Sequence, residues 1–314
     1  KIYAYDGREM SSSLVKSNMF LVDNKKMKFI EAVEKPFSVG VPGLYSMLAD
    51  AHNEFGILEW QDLFTSALKY SDNFKMGGRL NKLLNWAPHI KNNDDVKNIY
   101  FNNKEVIKKG SIIKNLELKK SLLVLSKDPY SINKGFLAKK ISEKLNNTLP
   151  IDDLKQWKTI KRDPLCKKIN TYKICGFPPP TSGGVGLIQI LAMLNNKISL
   201  MKKNDSFLSK HLFVEASRLA YQDRDFYIAD PSFFKVPLND LISEKYLKTR
   251  SNLINKNQSV PNFKPGNILH LQSKNIVTGT NFEKKSTTHI SIVDKNGNAV
   301  ALTSSIEFAF GSGI

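Results

Sequence analysis

Acidic residues are scarce in this chain: 29 Asp and Glu stand against 47 Lys and Arg, a formal net charge of +18 over 314 residues. Such a balance permits an anionic partner, but the lysine pairs (Lys108-Lys109, Lys119-Lys120, Lys139-Lys140, Lys167-Lys168) are scattered. No basic run is interleaved with stacking aromatics, so the pattern argues against nucleic acid as a partner. Cysteine is rarer still, with only Cys166 and Cys175. Two cysteines exclude a disulfide framework; they leave either free thiols or one loop-closing bridge, and the compartment open. Nowhere does an apolar run approach the ~18 residues of a helical membrane span. There is no initiator Met and no charged-then-apolar leader, and the last residues, Phe310-Gly311-Ser312-Gly313-Ile314, form a Gly-rich turn. The expectation is a middle portion of a longer protein. His52 and His89 lack partners at metal-ligand spacing, so no metal is expected and the histidines read as ordinary helix or loop residues.

What is present is a soluble-enzyme composition, 41% hydrophobic and 10% aromatic, patterned mainly as helix. Ser38 to Gly43 is a Gly/Pro turn launching a helix with Leu44, Leu48, Ala51 and Phe55 at helical spacing, closed by Gly56. Trp60, Leu63, Phe64, Ala67 and Leu68 line a second helix. Leu80 to Trp86, Leu116 to Ser126 and Phe136 to Leu145 are further helices, and Asp152 or Asp153 suits the N-cap of another. Thr171 to Cys175 reads as a strand. Phe177 to Gly186 comes next, with three prolines and then Thr181-Ser182 able to cap a helix that buries Leu187, Leu191 and Leu194. Its glycines lack a phosphate-loop ending or Gly-x-Gly-x-x-Gly, so they point to close packing of loop on helix. Residues 206 to 221 form a helix that runs into Asp223-Arg224-Asp225, read as a structural ion-pair network. Residues 251 to 286 are polar and unpatterned and read as a long exposed linker.

That linker ends at Thr287-Thr288, where a hairpin begins. Ile290 and Ile292 point to one face, His289 and Ser291 to the other, and an Asn-Gly turn in 294–298 leads to a return strand over 299–303. A polar, reachable segment ending abruptly at a firm strand is what a cleavable activation site requires. Near the other end, Arg8 comes just after a strand and a Gly, where its simplest reading is a surface arginine paired with Asp6 or Glu9.

Taken in order, Asp6-Gly7-Arg8-Glu9, Val39-Gly40-Val41-Pro42-Gly43, Pro178 to Gly184, Glu215 to Arg224 with Asp230-Pro231, Thr287 to Asp294 and Phe310 to Ile314 resemble the γ-glutamyltranspeptidase family. The resemblance spans residues 2 to 314. It implies an α+β fold, the Ntn-hydrolase four-layer αββα sandwich, incomplete over this length, and a proenzyme that cuts itself before a Thr. The cut would fall between Ser286 and Thr287, dividing a large-subunit portion (1–286) from the start of a small subunit (287–314). Thr287 would be the catalytic nucleophile, with its freed α-amine as base, and the hydroxyl of Ser305 would hydrogen-bond it. Arg8 would bind the substrate α-carboxylate and Glu307, which stands where many members have Asn, the α-amino group. The implied substrates are glutathione or γ-glutamyl amides, with water or an amino acid as acceptor and no cofactor. Alternatives are a related acylase or capsule-polymer hydrolase, because of Glu307, and an inactive basic binding paralogue. Ser11-Ser12 replaces the Ala-Pro common after the Arg-Glu pair.

Overall fold

The computed structural model describes residues 1–201, 206–268 and 287–314. The chain divides into two compact units: Tyr5–Ile160 with the described residues of Glu283–Ile314, and Lys1–Ala4 with those of Lys161–Phe282. In the first unit the helix expected after Gly43 is α1, Leu44–Phe55. The second expected helix is two pieces, a 3-10 turn over Trp60–Phe64 followed by α2, Thr65–Asp72. α3 (Gly78–Trp86), α4 (Leu116–Lys127) and α5 (Phe136–Lys144) fall where the apolar spacing placed them. The short helix α6, Ile151–Gln156, has Pro150 at its N-cap rather than an aspartate. Asp153 instead accepts from Ser12 Oγ at 3.0 Å and Ser13 N at 2.7 Å. Its carboxylate is drawn out of the capping role by donors 140 residues away. Those bonds outweigh its desolvation and hold it below the ordinary carboxylate range.

A core of Val41, Met47, Ala138, Leu145, Leu149, Leu154 and Trp157 joins α1, α5 and α6. Each large aliphatic side chain of this kind contributes about 1.5–3 kcal/mol on burial. A second core, Met76, Leu84, Ala87, Ile90 and Ile113, forms around α3.

The second unit contains an antiparallel hairpin, β1 (Leu165–Ile169) and β2 (Tyr172–Gly176), in which Cys166 lies opposite Cys175. The two are disulfide-bonded, with Cα atoms 4.1 Å apart, so the loop-closing bridge is the alternative realised. α7, Gly183–Asn195, comes soon after. Its start presses on the end of β2: a Cβ on Gly184 would sit 2.3 Å from the Phe177 carbonyl oxygen. Close packing therefore explains the glycines. Ser182 occupies the N-cap position, but its hydroxyl accepts from Arg224 Nε at 3.0 Å and makes no capping bond. The buried face of α7 is Gly184, Val185, Ile188, Gln189, Ala192 and Met193, while Leu187 is 45% exposed. Of the expected leucine face, Leu191 and Leu194 are half-buried, Leu194 against the core around Met193, and Leu187 points outward, because an almost wholly apolar helix offers more than one 3.6-residue stripe.

α8, Ser206–Tyr227, packs Leu212, Ala216, Leu219 and Ala220 against Met193 of α7. Asp223, on the same helix, is buried and pairs with Arg250 of α9 (Glu244–Asn252) at 2.9 Å, as a structural ion pair. Most of residues 251–268 are exposed, as the linker reading expected, but the stretch is tied down at particular points. Ser251, Ile254 and Ile268 are at most 5% exposed, and Ser251 Oγ donates to the Met193 carbonyl. Few apolar residues suffice here because polar bonds to α8 do the holding. The remainder of the expected linker, 269–286, lies outside the described residues. The last hairpin, β3 (Thr287–Val293) and β4 (Ala299–Ser305), belongs to the first unit. Every sheet among the described residues is two-stranded.

Candidate active site

Hairpin register sets the geometry. β3 and β4 are antiparallel, with Thr287 opposite Ser305, His289 opposite Thr303 and Ile290 opposite Leu302. Directly opposed residues project to the same side of a sheet, so Thr287, His289, Thr303 and Ser305 share a face and Ile290 and Leu302 share the other. The polar face is tied together at His289, whose ring nitrogens lie 2.7 Å from Thr303 Oγ1 and 3.1 Å from Ser291 Oγ. Sequence reasoning put His289 opposite the isoleucines and went no further; its partnership with Thr303 needs the strand register. The turn is built on Asp294, which accepts from Asn296 N, Asn298 N and Asn298 Nδ2, each at 2.8 Å. The Asn298 side chain first, then backbone amides, hold that carboxyl below its usual range. Gly297 takes φ +83°, which the Asn-Gly signal anticipated.

Past β4 the chain bends sharply. Ser305 Oγ accepts from the Glu307 amide at 2.9 Å, and Glu307 sits at φ +64°, left-handed for a residue with a side chain. The next residue, Phe308, anchors the bend. It is 4% exposed and packs on Phe29, Trp86 and His89 with ring centroids 5.1–5.4 Å apart. Desolvation there pushes the His89 imidazole pKa down, partly opposed by the Gly311 and Ala309 backbone and by Glu34. Phe310 packs on the core around α3. Ser305 and Glu307 are thereby fixed relative to Thr287 through one continuous backbone.

Arg8 arrives from the far end of the sequence. Its amide donates to Asp6 Oδ1 at 2.9 Å, and its carbonyl accepts from Trp157 Nε1 at 3.0 Å. The stretch just after it is joined to the second early motif by Met10 and Val41, which exchange amide bonds of 3.3 and 2.8 Å. Trp157 lies in the core on which Leu302 of β4 also packs. One apolar cluster thus supports both the Arg8 loop and the strand that ends in Ser305. Trp157 was missed from sequence, where a lone Trp beside Lys and Thr carries no signal beyond burial. Ser286 lies outside the described residues. Among the described residues, no group of three or more His, Cys, Asp or Glu is gathered as metal ligands, and no helix is long and apolar enough to cross a membrane.

All of residues 1–314 match the family described as Gamma-glutamyltranspeptidase. Among similar proteins, the glutathione hydrolase proenzyme of Escherichia coli (strain K12) is 29% identical over 99% of this chain and 53% of its own length. That of Bacillus subtilis (strain 168) is 30% identical over 98% and 54%. The chain spans about half the length of these relatives. The γ-glutamyltranspeptidase of Helicobacter pylori superposes with a TM-score of 0.79 at 25% identity, covering 87% of this chain and 81% of that one. The α+β Ntn-hydrolase fold expected from the sequence is therefore the fold to which these units contribute. A chain matched from end to end by the family, and sharing its fold, belongs to the γ-glutamyltranspeptidase family.

Proposed function

We propose that this chain is the Thr287-bearing part of a self-cleaving γ-glutamyl transferase and hydrolase. Hydrolysis of the Ser286–Thr287 bond leaves a carboxylate on Ser286 and a free α-amine on Thr287, dividing a large-subunit portion (1–286) from the start of a small subunit (287–314). The observation that carries the reading is the pairing of Thr287 with Ser305 across the hairpin, with Glu307 fixed two residues beyond. The amine takes the hydroxyl proton as Thr287 Oγ1 attacks the γ-carbonyl of glutathione or a γ-glutamyl amide. The leaving amine departs with that proton, and an ester remains on Thr287. Water or an amino acid amine then attacks the ester and regenerates the hydroxyl. Ser305 hydrogen-bonds the nucleophile, Arg8 pairs with the α-carboxylate, and Glu307 pairs with the α-ammonium. Each step is acid–base and acyl transfer and draws on no cofactor.

The test is the full-length gene product and its Thr287→Ala variant, monitored by intact mass and by release of aniline from a γ-glutamyl anilide. The reading requires a split wild type with activity and an intact, silent variant; an unsplit but active wild type refutes it. Glu307, where many members have Asn, favours a second reading, an acylase with another dicarboxylyl donor. Equal or faster turnover of a non-amino dicarboxylyl amide would select that one.

A further inference from the structure

The bend that follows β4 is shaped against its own backbone preference. Glu307 and Phe310 take φ +64° and +65°, and Gly311 and Gly313 take +57° and +73°. Left-handed geometry at residues with side chains persists only where the surroundings over-determine it. Inside the bend, Phe308 N donates to the Ile306 carbonyl at 2.8 Å, Gly311 N to the Phe308 carbonyl at 2.8 Å and Gly313 N to the Phe310 carbonyl at 3.0 Å. Much of the remaining restraint comes from residues 86–100 of the same compact unit. Phe308 packs on Trp86 and His89. Phe310 joins the core on which Val96, Ile99 and Tyr100 also pack. A Cβ on Gly313 would lie 3.1 Å from His89 Cδ2 and 3.3 Å from Ile90 Cγ2, so the backbone there rests on the 3-10 turn His89–Asn92.

Asn93 adds a polar tie. Its Oδ1 accepts from Val96 N at 3.2 Å and caps the helix Asp94–Tyr100, while its Nδ2 donates to the Gly313 carbonyl. Capping uses only the side-chain oxygen. The amide nitrogen is directed instead at a residue 220 positions away, where it closes the bend at the end opposite Glu307.

We propose that Asn93 is a positioning residue for Glu307: by fixing the Gly313 end of the bend it sets where the Glu307 carboxylate stands beside Ser305, and so how tightly a substrate α-ammonium is held. This rests on the role proposed above for Glu307. At the near end the Glu307 amide is tied to Ser305 Oγ at 2.9 Å. Glu307 itself is exposed, so the direction of its side chain is set by the backbone beneath it rather than by packing. With both ends held, that backbone keeps its left-handed turn; with the Gly313 end released, Glu307 can relax toward ordinary φ and swing its carboxylate away.

The experiment is a double-substitution cycle on the split full-length enzyme, read as KM and kcat for a γ-glutamyl anilide. Asn93→Ser keeps a capping oxygen and loses the donor to Gly313; Asn93→Asp does the same and is the second variant. Each is expected to raise KM about fivefold or more, with kcat within about twofold of wild type. In a Glu307→Ala background, which has already lost the ammonium partner, the same Asn93 substitutions should leave KM unchanged, because a residue that acts through Glu307 has nothing left to place. Asn93 variants with wild-type KM overturn the inference. So do equal rises in KM with and without Glu307, since a merely structural loss is additive, and so does a fall in kcat that exceeds the rise in KM, which marks general damage. A Glu307→Ala enzyme that keeps the wild-type KM refutes the role proposed for Glu307 itself, and its positioning by Asn93 with it.

Discussion

Replacing Trp157 by Phe separates anchoring of the Arg8 loop from stability of the core beneath it. The indole is 3% exposed and donates its one polar hydrogen to the Arg8 carbonyl at 3.0 Å. Phe keeps most of the apolar volume and deletes that bond. A net hydrogen bond is worth about 1 kcal/mol, rising to about 2 where the orphaned carbonyl stays dry. If Arg8 anchors the substrate carboxylate, that loss appears as a looser anchor. At about 1.4 kcal/mol per decade, KM for a γ-glutamyl anilide rises about five- to thirtyfold. kcat changes little, because Thr287 and Ser305 are fixed by the hairpin register. Leu154→Ala is the control. Leu154 lies in the same core with no exposure and makes no side-chain bond to Arg8, so the substitution lowers stability by about 2–4 kcal/mol in urea titration and leaves KM unchanged. An unchanged KM in Trp157→Phe, or a KM that rises equally in both variants, refutes the view that Trp157 acts through Arg8.

Arg8→Lys retains the charge but loses the two-pronged geometry, and should raise KM about tenfold with kcat nearly intact in steady-state kinetics. Gly297→Ala forces an L-residue to φ +83°; at a cost of about 1–2 kcal/mol it should loosen the hairpin and slow precursor splitting, read by intact mass. Opening the Cys166–Cys175 bridge releases a loop of nine-residue separation, for which loop entropy gives about 2.5 kcal/mol; a reductant should lower the thermal midpoint of the wild type and not of a Cys166→Ser/Cys175→Ser variant. Burial disfavours the Glu215 carboxylate, but bonds from Ser259, Val260 and Arg218 outweigh it and depress its folded pKa, so its stabilisation is complete above the unfolded value and disappears as pH falls through the lower folded value. Wild type and Glu215→Gln should therefore differ in denaturant midpoint at pH 7 and converge below about pH 4, the ordinary carboxylate range.

Periodicity located the long helices and the last hairpin because each carries a local signal: a 3.6-residue stripe, or Asn-Gly between alternating strands. It failed where the signal is not local. The phase of α7 is ambiguous because nearly every position is apolar. Asp153 leaves its cap for Ser12 and Ser13, and Ser182 leaves its own for Arg224, bonds no spacing rule contains. Residues 251–268 read as linker because they lack apolar residues, yet Glu215 and Asp223 hold them by polar bonds from more than 40 residues upstream. The candidate site divides in the same way. Thr287, Ser305 and Glu307 share one short stretch and were legible through a family resemblance. Trp157, which binds the Arg8 carbonyl, and the His289–Thr303 pair depend on tertiary contacts and strand register.

The central claim is that Thr287, freed as an N-terminus, carries the acyl group. Incubating the full-length gene product with a slowly released γ-glutamyl donor, quenching in acid and sequencing the peptides by mass tests it most directly. The account predicts a γ-glutamyl adduct, labile to base as an ester, on a peptide that begins at Thr287. An adduct on any other residue, or an active enzyme in which Thr287 is still joined to Ser286, would contradict it.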